Sequence, residues 1–265
     1  MKPLAPALAA AGALAFAAQA EAGETACVFE RGVLIVPAQV MGVSGDFILD
    51  TGQARTQLSE SQAEGAGLAG PELVGELRFA GLSRAAQPIA VADLDARTVF
   101  LPTPIAGVIG MDALRGLVLD VRFAPCRVWV GSPAAAPAFR ADREAPLGWA
   151  SGLPVMQASV NDGARGWPGE FVPATGLDLS LRLDDRLAAA PDATQPKELY
   201  PGGVGRARLA GVEFAGDMFA NIDVGLIKGA PDAPWPAGWI GGPVLSHYRL
   251  RFDFVADRLQ IARKR

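Results

Sequence analysis

The chain has 265 residues, with 24 Lys+Arg, 28 Asp+Glu, two cysteines, one histidine and a formal net charge of -4. A single histidine, His247, leaves little room for Ser-His-Asp or Cys-His catalysis, and two cysteines plus one histidine cannot build the usual Cys/His zinc site. The negative charge gives no footprint for nucleic acid, so no cofactor or metal is expected and any chemistry falls to carboxylates and hydroxyls.

Half of the residues are hydrophobic, enough to bury a core, while 31 Gly, 21 Pro and 7% aromatics point to many turns and short strands. The chain opens with Lys2 and then an uncharged, Ala- and Leu-rich stretch over residues 3–20. It closes on Ala18-Gln19-Ala20 and Ala20-Glu21-Ala22, either of which suits signal cleavage, so residues 1–22 read as a secretory signal peptide rather than a membrane anchor. With 20 Arg against 4 Lys and abundant Ala, the composition suggests a GC-rich bacterium. The expected compartment is then the periplasm, with no membrane association after cleavage. In an oxidising compartment Cys27 and Cys126 most simply pair, which would contribute ~4 kcal/mol by loop closure; the alternative is two separate buried thiols.

Alternation of apolar and polar residues predicts strands over 33–40, 47–50, 75–80, 88–93, 117–123 and 126–130. Short helices are expected over 59–68 and 111–116, with Ser59 and Asp112 at N-cap positions. A Pro- and Ala-rich linker, 132–149, follows. Beyond it the chain repeats itself. Residues 103–131 align with 234–262 at Gly110 and Gly241, residues 75–93 with 205–223, and residues 47–59 with 171–183. Both members of the second pair turn at an Ala-Gly and end on Asp. Three blocks in the same order predict two similar lobes, 27–131 and 150–265, in an all-β protein with a few short helices. The second lobe's helix is expected over 184–190, where Asp184-Asp185 reads as a solvated helix start. Gly202-Gly203-Val204-Gly205 lacks the setting of a dinucleotide loop and reads as a turn. Trp235 and Trp239 read as packing or loop anchors, and His247 as a surface or packed residue.

One tripeptide carries chemistry. Asp50-Thr51-Gly52 ends the apolar strand Phe47-Ile48-Leu49, a hydroxyl residue (Thr56) follows, and Val108-Ile109-Gly110 precedes a short helix. With this context the sequence resembles the aspartic protease superfamily of retropepsins and pepsins, over nearly the whole chain after the signal segment. The resemblance implies two retropepsin/pepsin-like lobes around a central cleft and a peptide or protein substrate. Each lobe then supplies one Asp, and the two carboxylates share a proton to activate a water. It also implies that the Thr hydroxyls lock the two loops together and that the glycines permit close backbone approach.

The second motif departs from that pattern. It reads Ala174-Thr175-Gly176, with Thr175, Gly176 and Ile240-Gly241 kept and the acid replaced. Asp178 is the nearest substitute carboxylate in sequence, although in retropepsins an acid at that offset serves substrate binding and structure. Three expectations follow: residual hydrolysis at Asp50, a non-catalytic peptide-binding cleft, or pairing of Asp50 between two chains. The fused second lobe disfavours the last, so a monomer is expected. Residues 71–90 hold no tyrosine, so any flap there differs from the pepsin pattern.

Overall fold

The computed structural model describes residues 23–161, 166–184, 207–227 and 236–264. Outside them lie the expected signal segment 1–22, residues 185–190 of the helix expected over 184–190, the glycine run 202–205 and Trp235. Asp184 itself ends a strand and is buried at 2% exposure, so it is not the solvated helix start that the sequence suggested.

The first lobe is built from β2 (Val28–Glu30), β3 (Val33–Val40), β4 (Val43–Leu49), β5 (Gln57–Ser59), β6 (Glu72–Phe79), β7 (Leu82–Ala92) and β8 (Ile105–Ile109). Their order in the sheet is β2-β3-β4-β8-β5-β7-β6, and β6 returns to pair with β3, closing a barrel. The second lobe uses β12 (Gly148–Ala150), β13 (Leu153–Asn161), β14 (Gly166–Pro173), β15 (Leu181–Asp184), β16 (Ala207–Phe214), β17 (Asp217–Ile227) and β18 (Gly238–Ile240). Its order is β12-β13-β14-β18-β15-β17-β16, closed by β13 with β16. The two permutations are identical, so the sequence repeat is a repeat of topology. The core repeats as well: Phe47 and Phe171, at matching places in β4 and β14, are both fully buried.

Turn chemistry explains the hairpins. At Ala80-Gly81, between β6 and β7, and at Ala215-Gly216, between β16 and β17, both residues have positive φ. That is the twist-matched two-residue turn, and it wants glycine at its second position. Residue-for-residue alignment of the blocks would put the second of these turns at Ala210-Gly211. Gly211 instead lies inside β16, paired with Ala220. There a Cβ would sit 2.7 Å from the Phe219 carbonyl oxygen, so this glycine serves close approach and not a turn.

The last strands of each half leave their barrels. β1 (Gly23–Ala26), β9 (Val118–Phe123), β10 (Cys126–Gly131), β11 (Arg143–Pro146), β19 (Tyr248–Asp253) and β20 (Arg258–Arg263) form one sheet in the order β1-β10-β9-β19-β20-β11. The halves join where β9 meets β19, with Val121 opposite Leu250. Buried Asp120 accepts hydrogen bonds from Arg249 at 3.0 and 2.6 Å and from Arg251 at 2.8 Å. Both guanidiniums stand 4.7 Å from the ring centroid of Phe139. The segment after β10 is thereby tied down over the shared sheet, and its 143–146 stretch joins that sheet as β11.

Cys27 and Cys126 form a disulfide that fixes the start of the first barrel to β10. The helices among the described residues are single turns or little more: α1 (Glu60–Gly65), α2 (Asp95–Thr98), α3 (Met111–Leu114) and α4 (Gly242–Leu245). Ser59 caps α1 as expected, accepting from Gln62 N at 3.3 Å. Asp112 does not cap α3. Gly110 holds that position, and Asp112 instead accepts from the backbone and hydroxyl of Thr56 at 2.9 and 2.7 Å. An acid this near a helix start has a choice of N–H donors, and the turn after the Asp50 motif supplies better-placed ones. None of these helices is long and apolar enough to cross a membrane.

Candidate active site

The two motif loops meet where the barrels face each other. The Asp50 N–H donates to Ile109 O at 3.0 Å and the Ala174 N–H to Ile240 O at 2.8 Å. Each loop is thus sewn to the apolar-Gly strand of its own lobe, β8 or β18, and the two halves are held in matching ways.

The threonines join the lobes to each other. Thr51 N donates to Thr175 Oγ1 at 3.1 Å, and Thr175 N donates to Thr51 Oγ1 at 3.2 Å. The Thr175 hydroxyl donates to Leu49 O at 2.6 Å and the Thr51 hydroxyl to Pro173 O. Each hydroxyl therefore accepts one bond and donates its proton to a carbonyl across the seam. The 3.4 Å approach between the two Oγ atoms has no hydrogen left to fill it. Both threonines are fully buried, so none of these groups has water as a substitute partner.

Asp50 and Ala174 occupy equivalent places. A Cβ on Gly52 would lie 2.5 Å from the Ala174 methyl, and one on Gly176 would lie 2.5 Å from Asp50 Cβ. Each glycine is required because the side chain of the opposite loop packs onto it. Asp50 is 5% exposed and Ala174 1%. Asp50 Oδ1 accepts from Gly52 N at 2.7 Å and Gly176 N at 3.1 Å. The position facing it across the seam holds a methyl group.

The other carboxylate oxygen is taken by a residue that the sequence did not single out. Arg97 Nη2 donates to Asp50 Oδ2, and the same nitrogen lies 3.4 Å from Gly176 O of the other lobe. Arg97 sits in α2, within the connection from β7 to β8. Asp93 Oδ1 accepts from Asp95 N at 2.9 Å and starts that turn. Leu94 then buries itself against Val33, Ile35, Ile48 and Val108, a small cluster separate from the main core. Docking through Leu94 swings Arg97 over Asp50. Leu94 and Leu101, spaced as apolar anchors around an Arg, were the available signal; nothing in their spacing named Asp50 as the target.

Other expected residues lie close but do different work. Among the described residues no hydrogen bond links Asp50 to a second carboxyl group, Asp178 included. Asp178 acts on Arg182, which projects from β15 toward the same seam. Burial pushes the Arg182 guanidinium below its ordinary value; Asp178 pulls it back up, Arg97 lowers it further, and Asp50 raises it. Trp239 is buried beside Gly52. His247 packs its ring 4.9 Å from that of Phe219, away from the motif loops. The β6–β7 hairpin, where a flap would be sought, is barrel wall, since Ala38 of β3 pairs with Phe79 of β6.

No protein-family model matches the chain, and no curated protein does. Among solved structures, the aspartic proteinase from Irpex lacteus is similar over 92% of this chain and 97% of that one, with a TM-score of 0.54 and 13% sequence identity. The chain therefore has the pepsin-like bilobal β fold.

Proposed function

We propose that this chain is an exported, non-catalytic peptide-binding protein on a protease scaffold, whose seam holds an extended peptide segment without cutting it. The observation that carries this reading is the Arg97–Asp50 ion pair facing Ala174. Hydrolysis on this fold needs a base to take a proton from water and an acid to polarise the peptide carbonyl. The acid position carries a methyl group. The base has its outer oxygen occupied by a guanidinium, which donates hydrogen bonds but has no lone pair with which to accept a proton from water. Groups that act as a unit lose orders of magnitude in rate when one member is missing, and here both are compromised.

What remains is a rigid pair of facing barrels, and such a surface holds an extended chain by main-chain hydrogen bonds. Export is supported by the uncharged 3–20 segment with its Ala-x-Ala ends and by the disulfide, which persists in oxidising compartments such as the bacterial periplasm. The partner is then a peptide or protein, and the working form a monomer.

The test uses protein lacking residues 1–22, a mixed peptide library between about pH 3 and 8, and the variants Asp50→Asn, Ala174→Asp and Ala174→Asp/Arg97→Gln. The wild type should retain peptides and cleave none. Only the double variant, which has both carboxylates and no guanidinium, should gain peptidase activity. Wild-type cleavage that disappears in Asp50→Asn would overturn the reading.

A further inference from the structure

Two guanidiniums converge on the seam, and their surroundings differ. Arg97 makes both of its contacts through Nη2, to Asp50 and to Gly176 O. Its Nε and Nη1 have no partner among the described residues, and its side chain is 28% exposed. Arg182 comes from the opposite lobe, directly across β15 and β18 from Trp239, whose ring would lie 3.0 Å from a Cβ on Gly52 of the Asp50 loop. Arg182 is half-buried and feels the charges of Asp178, Arg97 and Asp50. Among the described residues none of these carboxylates closes an ion pair with it. A guanidinium withdrawn from water without a hydrogen-bonded counter-ion is costly, and the charge of Arg97 weighs further against that of Arg182. An arriving anion relieves both penalties, because it can bridge the free edge of Arg97 and the fork of Arg182. Planar guanidiniums recognise planar carboxylates with paired N–H···O bonds.

We infer that Arg97 and Arg182 together form a carboxylate-receiving site at the centre of the seam, so that the bound peptide presents an acidic side chain or a C-terminal carboxylate there. This rests on the peptide-binding reading above and adds the chemistry of the ligand to it. The site spans the lobes: Arg97 is carried by α2 on the first barrel and Arg182 by β15 on the second, so a carboxylate between them ties the two barrels together. Asp50 keeps its bond to Arg97 Nη2, positions that guanidinium and leaves its other edge outward.

Fluorescent peptides of three kinds test the site: one capped at both ends with a central Glu, the same peptide with Gln, and the Gln peptide with a free C-terminal carboxylate. Polarisation titrations are run on wild type, Arg182→Gln and Arg182→Lys, with circular dichroism to check folding. One carboxylate peptide should bind roughly ten- to a hundredfold more tightly than the neutral one, as charge-assisted hydrogen bonds dictate. Arg182→Gln should erase that preference, and Arg182→Lys should keep part of it. Whether Glu or the free terminus wins identifies the source of the carboxylate. Equal binding of all three peptides by the wild type overturns the carboxylate site and leaves peptide binding standing. A preference that persists in folded Arg182→Gln overturns the assignment to that residue, and binding of none overturns the peptide-binding reading with it. The wild-type comparison decides the matter even if Arg182→Gln does not fold.

Discussion

Replacing Arg97 by Gln removes the cation over Asp50 while leaving α2 its anchor at Leu94. In the folded chain the Asp50 side chain is 7% exposed and that of Arg97 28%. An exposed ion pair contributes ~0–1 kcal/mol, whereas stripping one partner from a fully buried pair costs ~3–5 kcal/mol. This pair lies between those limits. Asp50 also keeps its two N–H donors, Gly52 and Gly176, so losing the arginine strands one oxygen and not the whole carboxylate. The expected cost of Arg97→Gln is about 2 kcal/mol, or ~4–8 °C in Tm for a chain of this size. The decisive quantity is the coupling. Urea unfolding of wild type, Arg97→Gln, Asp50→Asn and the double variant at pH ~7 should give an interaction energy of ~1–2 kcal/mol, as expected for side chains in direct contact. Costs that add to within ~0.3 kcal/mol would mean that the two side chains are independent in solution, and the argument that Asp50 is occupied would fail.

Thr175→Val leaves Thr51 N and Leu49 O unpartnered in a fully buried place. Urea unfolding should show a loss of ~2–4 kcal/mol, at ~1–3 kcal/mol for each stranded group, with Thr175→Ser nearly as stable as wild type. Reducing the Cys27–Cys126 bond frees a loop spanning 99 residues and should lower stability by ~4–5 kcal/mol in the chain-entropy model, read as a shift of the urea midpoint with and without reductant. The Tyr248 hydroxyl at 2.7 Å, followed by Arg263, holds the Asp217 carboxyl below its ordinary value. A depressed folded value means a contribution that is complete above the unfolded value, near pH 4. It disappears as pH falls through the folded value. Asp217→Asn should therefore melt below wild type at pH ~7 and converge with it at about pH 2–3, as followed by thermal melts.

The architecture was largely readable because it rests on local signals. Alternation marked β3 to the residue and β6, β9 and β10 to within about three residues at their ends, but it caught only the second half of β7 and the end of β4, which begin six and four residues before the expected 88 and 47. The internal repeat then gave two lobes with one topology. Where the reading slipped, a tertiary contact decided. Asp112 sits where a cap belongs, but Thr56, distant in sequence, offers it two donors. The matched block placed a turn at Ala210-Gly211, and strand pairing across to Ala220 moved it to Ala215-Gly216. At the site, the motif residues Asp50, Thr51, Ala174 and Thr175, which the resemblance to aspartic proteases singled out, lie together. Arg97 was not legible, since its target lies 47 positions earlier in the chain and only the docking of Leu94 on the barrel face brings the two together. Arg182 was hidden differently: in a strand of alternating residues it reads as an ordinary outward-facing position, and what it faces depends on the other lobe.

Ala174 and Arg97 belong to one arrangement. A centre with two carboxylates and one shared proton carries a single negative charge. With Ala174 the second carboxylate is gone, and Asp50 alone would be an uncompensated charge at 5% exposure. Arg97 compensates it, which brings the pair to neutral. The seam is then more positive by one unit than a two-acid centre with no arginine beside it, while the threonine lattice is untouched because its bonds run from hydroxyl and backbone groups. That shift changes which ligands the seam favours. A two-acid centre repels an anionic group at its midpoint; this one, with Arg182 on the far side, attracts it. On the proposed reading, absent hydrolysis and a carboxylate preference both follow from this one arrangement. Ala174→Asp should reverse the second, weakening carboxylate peptides relative to neutral ones, even where Arg97 still blocks the return of the first.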